Sequence, residues 1–364
     1  MIRLAISALL ASASLVAQAT LPSYRCQALP DGATSPESST AEARALNDFN
    51  EEVVGNGLGP IYGGVSTGPM QWNRKRVGER LPDESDTGNT SMAWAAGISA
   101  NGKVVGAIYD SQGQPRPVAW QDGVLLELGS LAADGRGYAT AVSTVGTVAG
   151  KSIVVTSRGD VDRATLWRPN GKIIHLHALD DKDDNVAYDV NEASVAVGMN
   201  LSHDTGSFTP VRWESNGTIA VLPNPPQGQY SSVRAISAHG VSVGSSYYDL
   251  EGTRATAWRG LEPVDLGGYD GGVSTEASDI NGEDAVVGFS EDSRHRPTPL
   301  YWASLDASAV DLNTLVKGGC TDAFGQKRRL SYANAINSFG VIAATAIVGE
   351  NGDKSSFAFR LVPR

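Results

Sequence analysis

Asp189 and Asp279 are the carboxylates whose placement in the sequence most suggests acid–base chemistry. Both follow Ala-x in a recurring segment, at a position where the other copies carry a small residue. Those small residues are Ala45, Gly97, Ala141, Ala235 and Ala335. Two carboxylates near one axis can act as general acid and general base on a polymer substrate. Hydrogen bonding to nearby turn amides is the alternative interpretation of both side chains.

The densest set of oxygen ligands is an acidic run. Its carboxylates are Asp180, Asp181, Asp183 and Asp184. Calcium binds carboxylates and carbonyls in flexible geometry, so this run is a candidate calcium site. The spacing lacks the helix-flanked twelve-residue loop with its terminal Glu, and a solvated turn is the alternative. No other cofactor is predicted.

Aromatic and basic residues are the candidates for a binding surface. Tyr109, Tyr247 and Tyr248 directly follow short strand-like runs and could stack on a sugar or a peptide; covering the rim of the core is the alternative. A tight basic cluster lies in the connector 313–331. Its members are Lys327, Arg328 and Arg329. We expect this insertion either to take part in binding or to be a surface loop without such a role.

Serine hydrolase chemistry is not supported by the sequence. The stretches 64–68 and 240–244 match Gly-x-Ser-x-Gly, but neither stands between a strand and a helix as a nucleophile elbow does. The five histidines show no zinc-protease spacing. No catalytic residue is assigned with an established motif.

A repeat indicates which elements position these residues. The segment 95–106 has clear relatives at 139–150, 187–198 and 277–288, and weaker copies begin at Ala43, Val233 and Ala333. A second segment follows each copy and ends in an aromatic residue. These residues are Trp72, Trp120, Trp167, Trp213, Trp258, Trp302 and Phe359. The tryptophans are 48, 47, 46, 45 and 44 residues apart, so the chain is predicted to contain seven units of one fold.

Each unit divides into four β-strands, a to d in chain order. Asn- or Ser-led turns join a to b, and Asn-Gly or Asp-Gly turns join c to d. The small residues of strand a favour an innermost position, where strands crowd around an axis. The d-to-a and b-to-c connectors then share one face, which includes residues 56–69, 151–163 and 313–331. We expect function on this long-loop face and packing between blades for the tryptophans.

The two ends of the chain are predicted to meet. Residues 24–30 match a d strand, whereas the chain ends on a c strand at Phe359. The N-terminal strand would then complete the last blade and close a seven-bladed β-propeller of four-stranded blades. Cys26 lies in that strand and Cys320 in the connector entering the last unit, so a disulfide would staple the closure.

Composition and the N-terminus indicate an exported protein. Residues 1–19 read as a signal peptide, with Arg3, an apolar stretch from Leu4 to Val16 and a small-x-small cleavage site, leaving residues 20–364 as a single propeller domain. We expect a periplasmic or secreted location and no transmembrane segment in the mature chain. The net charge of −11 argues against a nucleic-acid partner.

The motif Ala-x-x-Ile-Asn-x-x-Gly-x-Val-Val-Gly, followed by a c strand and Asp265-Leu-Gly-Gly268, resembles the bacterial extracellular HAF-repeat proteins. The resemblance covers residues 24 to 360 and implies an exported repeat protein of β-propeller type. The His-Ala-Phe of the family is replaced here by Pro117-Val-Ala-Trp120 and similar sequences. The resemblance implies no particular activity.

Three functions are compatible with these observations. The first is an exported binding module that engages a glycan, a peptide or a protein partner through the long-loop face. The second is an extracellular hydrolase or lyase with Asp189 and Asp279 as acid and base. The third is an envelope scaffold without a small ligand. Variable connectors on regular blades without a catalytic motif favour the binding module.

Overall fold

The computed structural model describes residues 21–49, 51–61, 64–83, 93–249, 251–349 and 354–364. Within these ranges the chain is almost entirely β-structure. Helical structure is limited there to a 3₁₀ turn at Pro36–Ser38 and one short helix, α1 (Leu312–Leu315). In the same ranges no helix combines the length and the apolar character needed to cross a bilayer. The predicted signal peptide, residues 1–19, lies outside the described residues.

The strands form four-stranded antiparallel sheets, each from a consecutive stretch of chain. The first sheet contains β2 (Glu42–Leu46), β3 (Val53–Ile61), β4 (Gly64–Trp72) and β5 (Gly78–Arg80). The next contains β6 (Ala93–Ile98), β7 (Val104–Tyr109), β8 (Pro115–Gln121) and β9 (Val124–Glu127). The third contains β10 (Gly137–Val142), β11 (Val148–Thr156), β12 (Gly159–Trp167) and β13 (Ile173–His175).

The pattern continues through the middle of the chain. The fourth sheet contains β14 (Asp184–Val190), β15 (Ala196–Leu201), β16 (Phe208–Trp213) and β17 (Ile219–Val221). The next strands are β18 (Ser231–Ile236), β19 (Val241–Tyr248), β20 (Gly252–Arg259) and β21 (Glu262–Gly267). They are followed by β22 (Gly272–Ile280), β23 (Val286–Asp292), β24 (Pro297–Trp302) and β25 (Val310–Asp311). One parallel bridge, Thr253 to Ser274, merges these last two sets into an eight-stranded sheet.

The last four-stranded sheet combines the two ends of the chain. Its strands are β28 (Tyr332–Ile336), β29 (Ile342–Val348), β30 (Ser355–Pro363) and β1 (Tyr24–Leu29). β1 pairs antiparallel with β30 from Tyr24 opposite Pro363 to Leu29 opposite Ala358. A small hairpin, β26 (Cys320–Thr321) and β27 (Lys327–Arg328), lies in the connector before β28. Cys26 on β1 is disulfide-bonded to Cys320, with a Cα–Cα distance of 5.2 Å, as the sequence predicted.

The first strand of each set packs against the first strand of the next. We call these the inner strands: β2, β6, β10, β14, β18, β22 and β28. β28 in turn packs against β2. The packing is close, since a Cβ added to Gly97 on β6 would lie 3.1 Å from the Cα of Ala141 on β10. This explains the small residue at this strand position in most copies.

The Val-Val-Gly motif has a local steric cause. The pairing of each inner strand with its neighbour shifts by one residue, as between Ala95 and Gly97 on β6, which marks a β-bulge. The bulge brings the Trp94 carbonyl against Gly106 so closely that an added Cβ would lie 1.9 Å from the oxygen. Glycine therefore leaves room for the carbonyl in this sheet, whereas the last sheet makes the same shift between Ala333 and Ala335 with Ala344 opposite Ala333.

The repeated tryptophans join neighbouring sheets. All six are almost completely buried in apolar clusters that contain residues of adjacent sheets. Each indole Nε1 donates to a carbonyl at the end of the preceding outer strand; Trp120, for example, donates to Pro82 at 2.6 Å. Trp72 makes the same bond at 2.6 Å to Pro30, directly after β1. The predicted packing of the tryptophans between blades is confirmed by these contacts.

Two connectors differ from the prediction of long loops. Residues 56–69 and 151–163 mainly extend β3, β4, β11 and β12 as long hairpins. Glycines and charged residues interrupt the alternation of apolar and polar residues in these stretches, so the sequence did not identify them as strands. The connector 313–331 contains α1 and the β26–β27 hairpin, where Asp311 caps α1 by accepting from the Asn313 amide.

Candidate functional site

A cavity opens at the start of the inner strands. It has a volume of about 800 Å³ and is lined by residues of six inner strands, with contributions from β11 and β29. We call it the inner-strand cavity. Its large or charged lining residues are Glu42, Arg44, Trp94, Tyr138, Lys151, Tyr188, Arg234 and Tyr332. A cavity of this size is in the range of small-ligand sites.

An aromatic cluster forms one wall of this cavity. Trp94 and Tyr138 stack with ring centroids 5.4 Å apart and planes inclined by 24°. Tyr109 tilts against Trp94 at 5.6 Å, and its hydroxyl lies 3.3 Å from that of Tyr138. The three rings are half-buried. Half-buried aromatic faces with a polar hydroxyl bind sugar rings or planar groups.

Charge at this wall is locally balanced. The Lys151 ammonium lies 5.0 Å from the Tyr138 ring centroid and pairs with Asp162 at 2.5 Å. Burial raises the pKa of Tyr138, and the neighbouring Tyr109 hydroxyl raises it further. Tyr138 therefore keeps its proton at neutral pH and can serve as a hydrogen-bond donor.

The remaining wall repeats this combination of aromatic and paired charge. Arg44 pairs with Glu42 at 3.3 Å, and Arg234 pairs with Glu276 at 3.5 Å. Tyr332 donates to Glu291 at 3.2 Å and packs edge-on against Phe289 at 4.9 Å.

Burial and the Glu291 charge raise the pKa of Tyr332 to about 12. The lining offers donors and acceptors in pairs, so its chemistry suits a neutral polar ligand with an apolar ring face.

The lining residues on the inner strands occupy two positions of the repeat, one on each side of a small residue. They flank the small Ala of each inner strand, as Glu42 and Arg44 flank Ala43, and Trp94 and Ala96 flank Ala95. Sequence reasoning missed them because it attended to the constant residues. The available signal was variation at two fixed positions inside an otherwise repeated segment.

Asp189 and Asp279 lie further along the inner strands and do not line this cavity. Each carboxylate bridges two inner strands. Asp189 accepts from the Val190 and Ile236 amides, both at 2.8 Å, and Asp279 accepts from the Ile280 and Ile336 amides at the same distance. The hydrogen bonding to nearby amides is thus observed, and the neighbouring strand supplies one amide of each pair.

Both carboxyl groups are surrounded by protein although some of their surface is accessible. Burial raises the pKa of Asp189 to about 6 and that of Asp279 to about 8, against the lowering effect of the amide hydrogen bonds. The charge of Asp189 contributes to the shift of Asp279. A catalytic role for the pair stays a prediction.

The predicted calcium ligands make hydrogen bonds to protein donors. Asp183 accepts from the His203 amide at 3.1 Å and from Asn200 at 2.9 Å. Asp184 accepts from the Asp162 amide at 2.7 Å and contacts the His203 ring at 2.9 Å. Asp180 accepts from the Lys182 amide, and the Asp181 carbonyl accepts from Arg163. Calcium binding by this turn stays a prediction.

The predicted basic cluster is engaged within its own connector. Lys327 donates to the Gly318 carbonyl at 2.6 Å. Arg328 pairs with Asp322 at 2.6 Å and covers the Phe357 ring at 4.1 Å, and Arg329 pairs with Asp311 at 2.8 Å. These contacts hold the β26–β27 hairpin beside the disulfide, so the three side chains stabilise the connector.

Of the three predicted tyrosines, Tyr109 alone contacts the aromatic wall, where it packs against Trp94 and Tyr138 without lining the cavity. Tyr247 is exposed at the end of β19. Tyr248 is buried and packs its ring against the Arg254 guanidinium at 5.3 Å. These two residues lie apart from the inner-strand cavity, as covers of a sheet edge.

Solved structures that resemble the chain place its all-β fold among the β-propellers. Virginiamycin B lyase from Staphylococcus aureus is similar at 10% identity over 93% of this chain and 99% of that protein, with a TM-score of 0.51. The β-propeller domain of the Trilobed protease from Pyrococcus furiosus has 9% identity over 77% and 97%, with a TM-score of 0.39.

TolB from Acinetobacter baumannii has 11% identity, with a TM-score of 0.38. The match covers 67% of this chain and 61% of TolB. No protein-family model and no curated protein matches the chain. At these identities the comparisons establish the fold alone.

Proposed function

We propose that the chain is an exported binding module whose ligand occupies the inner-strand cavity. The observation that carries this proposal is the stacked pair of Trp94 and Tyr138, supported from behind by Tyr109, beside Lys151 in a cavity of about 800 Å³. Stacking rings and paired charges recognise a neutral ring with hydroxyl groups, so the preferred ligand is a glycan.

The scaffold of this module is a closed ring of seven blades. The β1–β30 pairing joins the two ends of the chain in the last sheet, and two bonds join that sheet to the first: Trp72 to the Pro30 carbonyl and Asn337 to the Asn47 carbonyl at 3.1 Å. The disulfide supports export, since such bonds persist in oxidising compartments. Membership of the HAF-repeat family and a periplasmic or secreted location complete this proposal and rest on the sequence.

Removal of the disulfide tests the closure. Cys26→Ala combined with Cys320→Ala should lower the free energy of unfolding by about 4 kcal/mol, because the bond closes a loop of 294 residues. Denaturant unfolding with and without reductant measures the change. If the two cysteines are not joined in the folded protein, the double variant and the reduced wild type should unfold as the untreated wild type does, which would contradict the stapled closure.

A binding screen tests the function. The mature protein is applied to arrays of neutral oligosaccharides and of aromatic peptides, and each hit is titrated against Trp94→Ala and Tyr138→Ala. Phe339→Ala serves as the matched control, because Phe339 is an exposed aromatic in the turn between β28 and β29. Hits that Trp94→Ala weakens at least about tenfold and Phe339→Ala leaves unchanged support the proposal. Hits insensitive to both cavity variants, or an absence of hits, contradict it.

The hydrolase or lyase alternative has one observation in its favour. The raised pKa of Asp279 would keep that carboxyl protonated at neutral pH, as a general acid requires. Turnover of a polymer hit by the wild type and its loss in Asp279→Asn would support the alternative. If the wild type binds the polymer but does not cleave it, the result supports the binding module and contradicts the hydrolase or lyase alternative.

A further inference from the structure

Four exposed cations meet where the first and the last sheet adjoin. Arg25 lies on β1, and Arg74, Lys75 and Arg76 form the turn between β4 and β5. We call these four residues the basic patch. Within the described ranges, Glu51 is the acidic side chain that pairs with the patch, 3.6 Å from Arg74. The patch is therefore a local excess of positive charge on a chain whose net charge is −11.

The turn that carries the patch is held in one conformation. Asn73 Oδ1 accepts from the Lys75 amide at 2.9 Å and from the Val77 amide at 3.1 Å. The Arg76 amide donates to the Asn73 carbonyl at 2.8 Å. The backbone of the patch is thus organised before any ligand arrives, which limits the entropy lost on binding.

Arg76 occupies a position that favours glycine. The equivalent turns of two later sheets place Gly171 at φ 82° and Gly217 at φ 89°, whereas Arg76 adopts φ 68°. A side chain in this left-handed conformation costs about 1 kcal/mol relative to glycine. Because a glycine would make the turn more stable, replacing Arg76 by glycine separates loss of the charge from loss of stability.

A buried arginine lies beneath the patch. Arg360 donates to the Arg74 carbonyl at 2.6 Å and to the Glu51 carbonyl at 2.7 Å, and it binds Gln27 on β1. Burial lowers the pKa of Arg360, and the charges of Arg74, Arg76 and Arg25 lower it as well. Arg74, Arg76 and Arg25 therefore each lie close enough to Arg360 for their positive charge to act on it, and Glu51, 4.0 Å from Arg360, opposes them. An anion among them would offset that positive charge.

A cavity of about 370 Å³ adjoins the patch. Lys75 and Arg76 line it together with Cys26 and Thr321. Asp322 also lines it, but its carboxylate already accepts from Arg328 and from two amides of its own turn. The charged groups left to face a ligand in this cavity are the two cations.

We propose that the basic patch binds the phosphate group of a soluble phosphate monoester, such as a sugar phosphate, in this cavity. A guanidinium matches two phosphate oxygens at once, and a lysine adds a point charge. The cavity is large enough for a phosphate and one sugar ring but is bounded by the β26–β27 hairpin, which favours a discrete headgroup over a flat surface. The site is independent of the inner-strand cavity and of the function proposed for it.

The test uses the mature protein at low salt, with glucose 1-phosphate and inorganic phosphate as probes in isothermal titration calorimetry. Arg76→Gly should weaken binding at least about tenfold, because it removes a charge-assisted bond. The same variant should unfold at a higher temperature than the wild type, because glycine relieves the left-handed strain. Loss of binding in a more stable protein cannot result from misfolding. Lys75→Gln should weaken binding by a smaller factor.

Gln227→Gly is the matched control, since Gln227 is exposed, adopts φ 69° and lies in the connector between β17 and β18. It should gain stability and keep the wild-type affinity for glucose 1-phosphate. The proposal is overturned if Arg76→Gly and Lys75→Gln both bind the probes as the wild type does. It is equally overturned if the wild type binds phosphatidylglycerol vesicles but neither probe, which would make the patch a membrane contact.

Discussion

The two ends of the inner strands are built on opposite rules. At the cavity end, the residue before the small Ala or Val differs from sheet to sheet. These residues are Glu42, Trp94, Tyr138, Val186, Ser232, Glu276 and Tyr332. At the turn end, every inner strand is followed by Asn or Ser. The residue before it is Ile or Val, or Leu in the first sheet. These residues are Asn47, Ser99, Ser143, Asn191, Ser237, Asn281 and Asn337.

The constant turn end joins neighbouring sheets. Asn337 Oδ1 accepts from the Phe339 and Val341 amides of its own turn, while its Nδ2 donates to the Asn47 carbonyl of the next sheet. Asn281 repeats the bond to the Asn337 carbonyl at 3.0 Å. Ser237 makes only the hydrogen bond within its own turn, in which its hydroxyl accepts from the Val241 amide at 3.2 Å. The turn end therefore joins the sheets through a repeated residue type, whereas the bonds between sheets at the cavity end come from residues that differ between copies, as from Asn334 to the Ala43 carbonyl at 2.6 Å and from Thr140 to the Ala187 carbonyl at 2.8 Å.

The largest expected effect is at the turn end. Asn337→Ala should lower the free energy of unfolding by about 3 kcal/mol, because it leaves buried amides and the Asn47 carbonyl without their partner. Denaturant unfolding measures the loss. Asn337→Ser is the matched control and should lose about 1 kcal/mol, since serine retains the local cap and drops the bond between sheets. Equal losses in the two variants would contradict the bridging role.

An intermediate effect concerns pH and the paired carboxylates. The folded pKa of Asp279 is raised to about 8 and that of Asp189 to about 6, above the unfolded value near 4. The unfolded chain therefore releases these protons first, and stability falls as the pH rises from about 4 to about 8. Below pH 4 both states are protonated, so the stability is at its full value and no longer depends on the pH through these groups.

Asp279→Ala places in this sheet the residue found at Ala45 and Ala141. The decline of unfolding free energy between pH 5 and pH 8 should become shallower by up to about 1 kcal/mol per pH unit. Unfolding at a series of pH values measures the slope. Asp292→Ala is the control, because its pKa is lowered to about 2 by Arg296 and it does not titrate in this window. An unchanged slope in Asp279→Ala would show that the carboxyl is ionised throughout.

The smallest effect on stability is expected at the cavity end. Arg234→Ala removes an exposed side chain whose ion pair with Glu276 spans 3.5 Å. The free energy of unfolding should change by about 0.5 kcal/mol or less. Thermal unfolding checks this value. A loss comparable to that of Asn337→Ala would mean that the cavity end also holds the scaffold.

Much of the fold could be predicted from the sequence because its causes are local and repeated. The turn residues, the spacing of the tryptophans and the out-of-phase ends identified the four strands of each set, the β1–β30 pairing and the Cys26–Cys320 bond. The hairpin extensions around residues 56–69 and 151–163 were missed, because pairing between two variable strands leaves no signal in a single sequence.

Of the predicted site residues, the one nearest to the candidate site is Tyr109, which packs against the lining residues Trp94 and Tyr138. Residues that line a cavity together come from strands about 45 residues apart, and nothing in their local sequence records that they converge. The basic residues 327–329 were predicted to bind a ligand because they are consecutive in the sequence. In the structure each of them is hydrogen-bonded or ion-paired to a residue in or beside its own connector. Arg74, Lys75 and Arg76 gain their significance from Arg25 and Arg360, because β1 pairs with the C-terminal strand β30 and that sheet lies beside the first one.

The binding titration of Trp94→Ala tests the central claim most directly. Trp94 stacks on Tyr138 in the cavity wall, whereas Phe339 lies exposed in an inner-strand turn. Loss of at least about tenfold in affinity for a glycan in Trp94→Ala, with unchanged affinity in Phe339→Ala, is the predicted result. Unchanged affinity in Trp94→Ala, or equal losses in both variants, would contradict a ligand site at the cavity end of the inner strands.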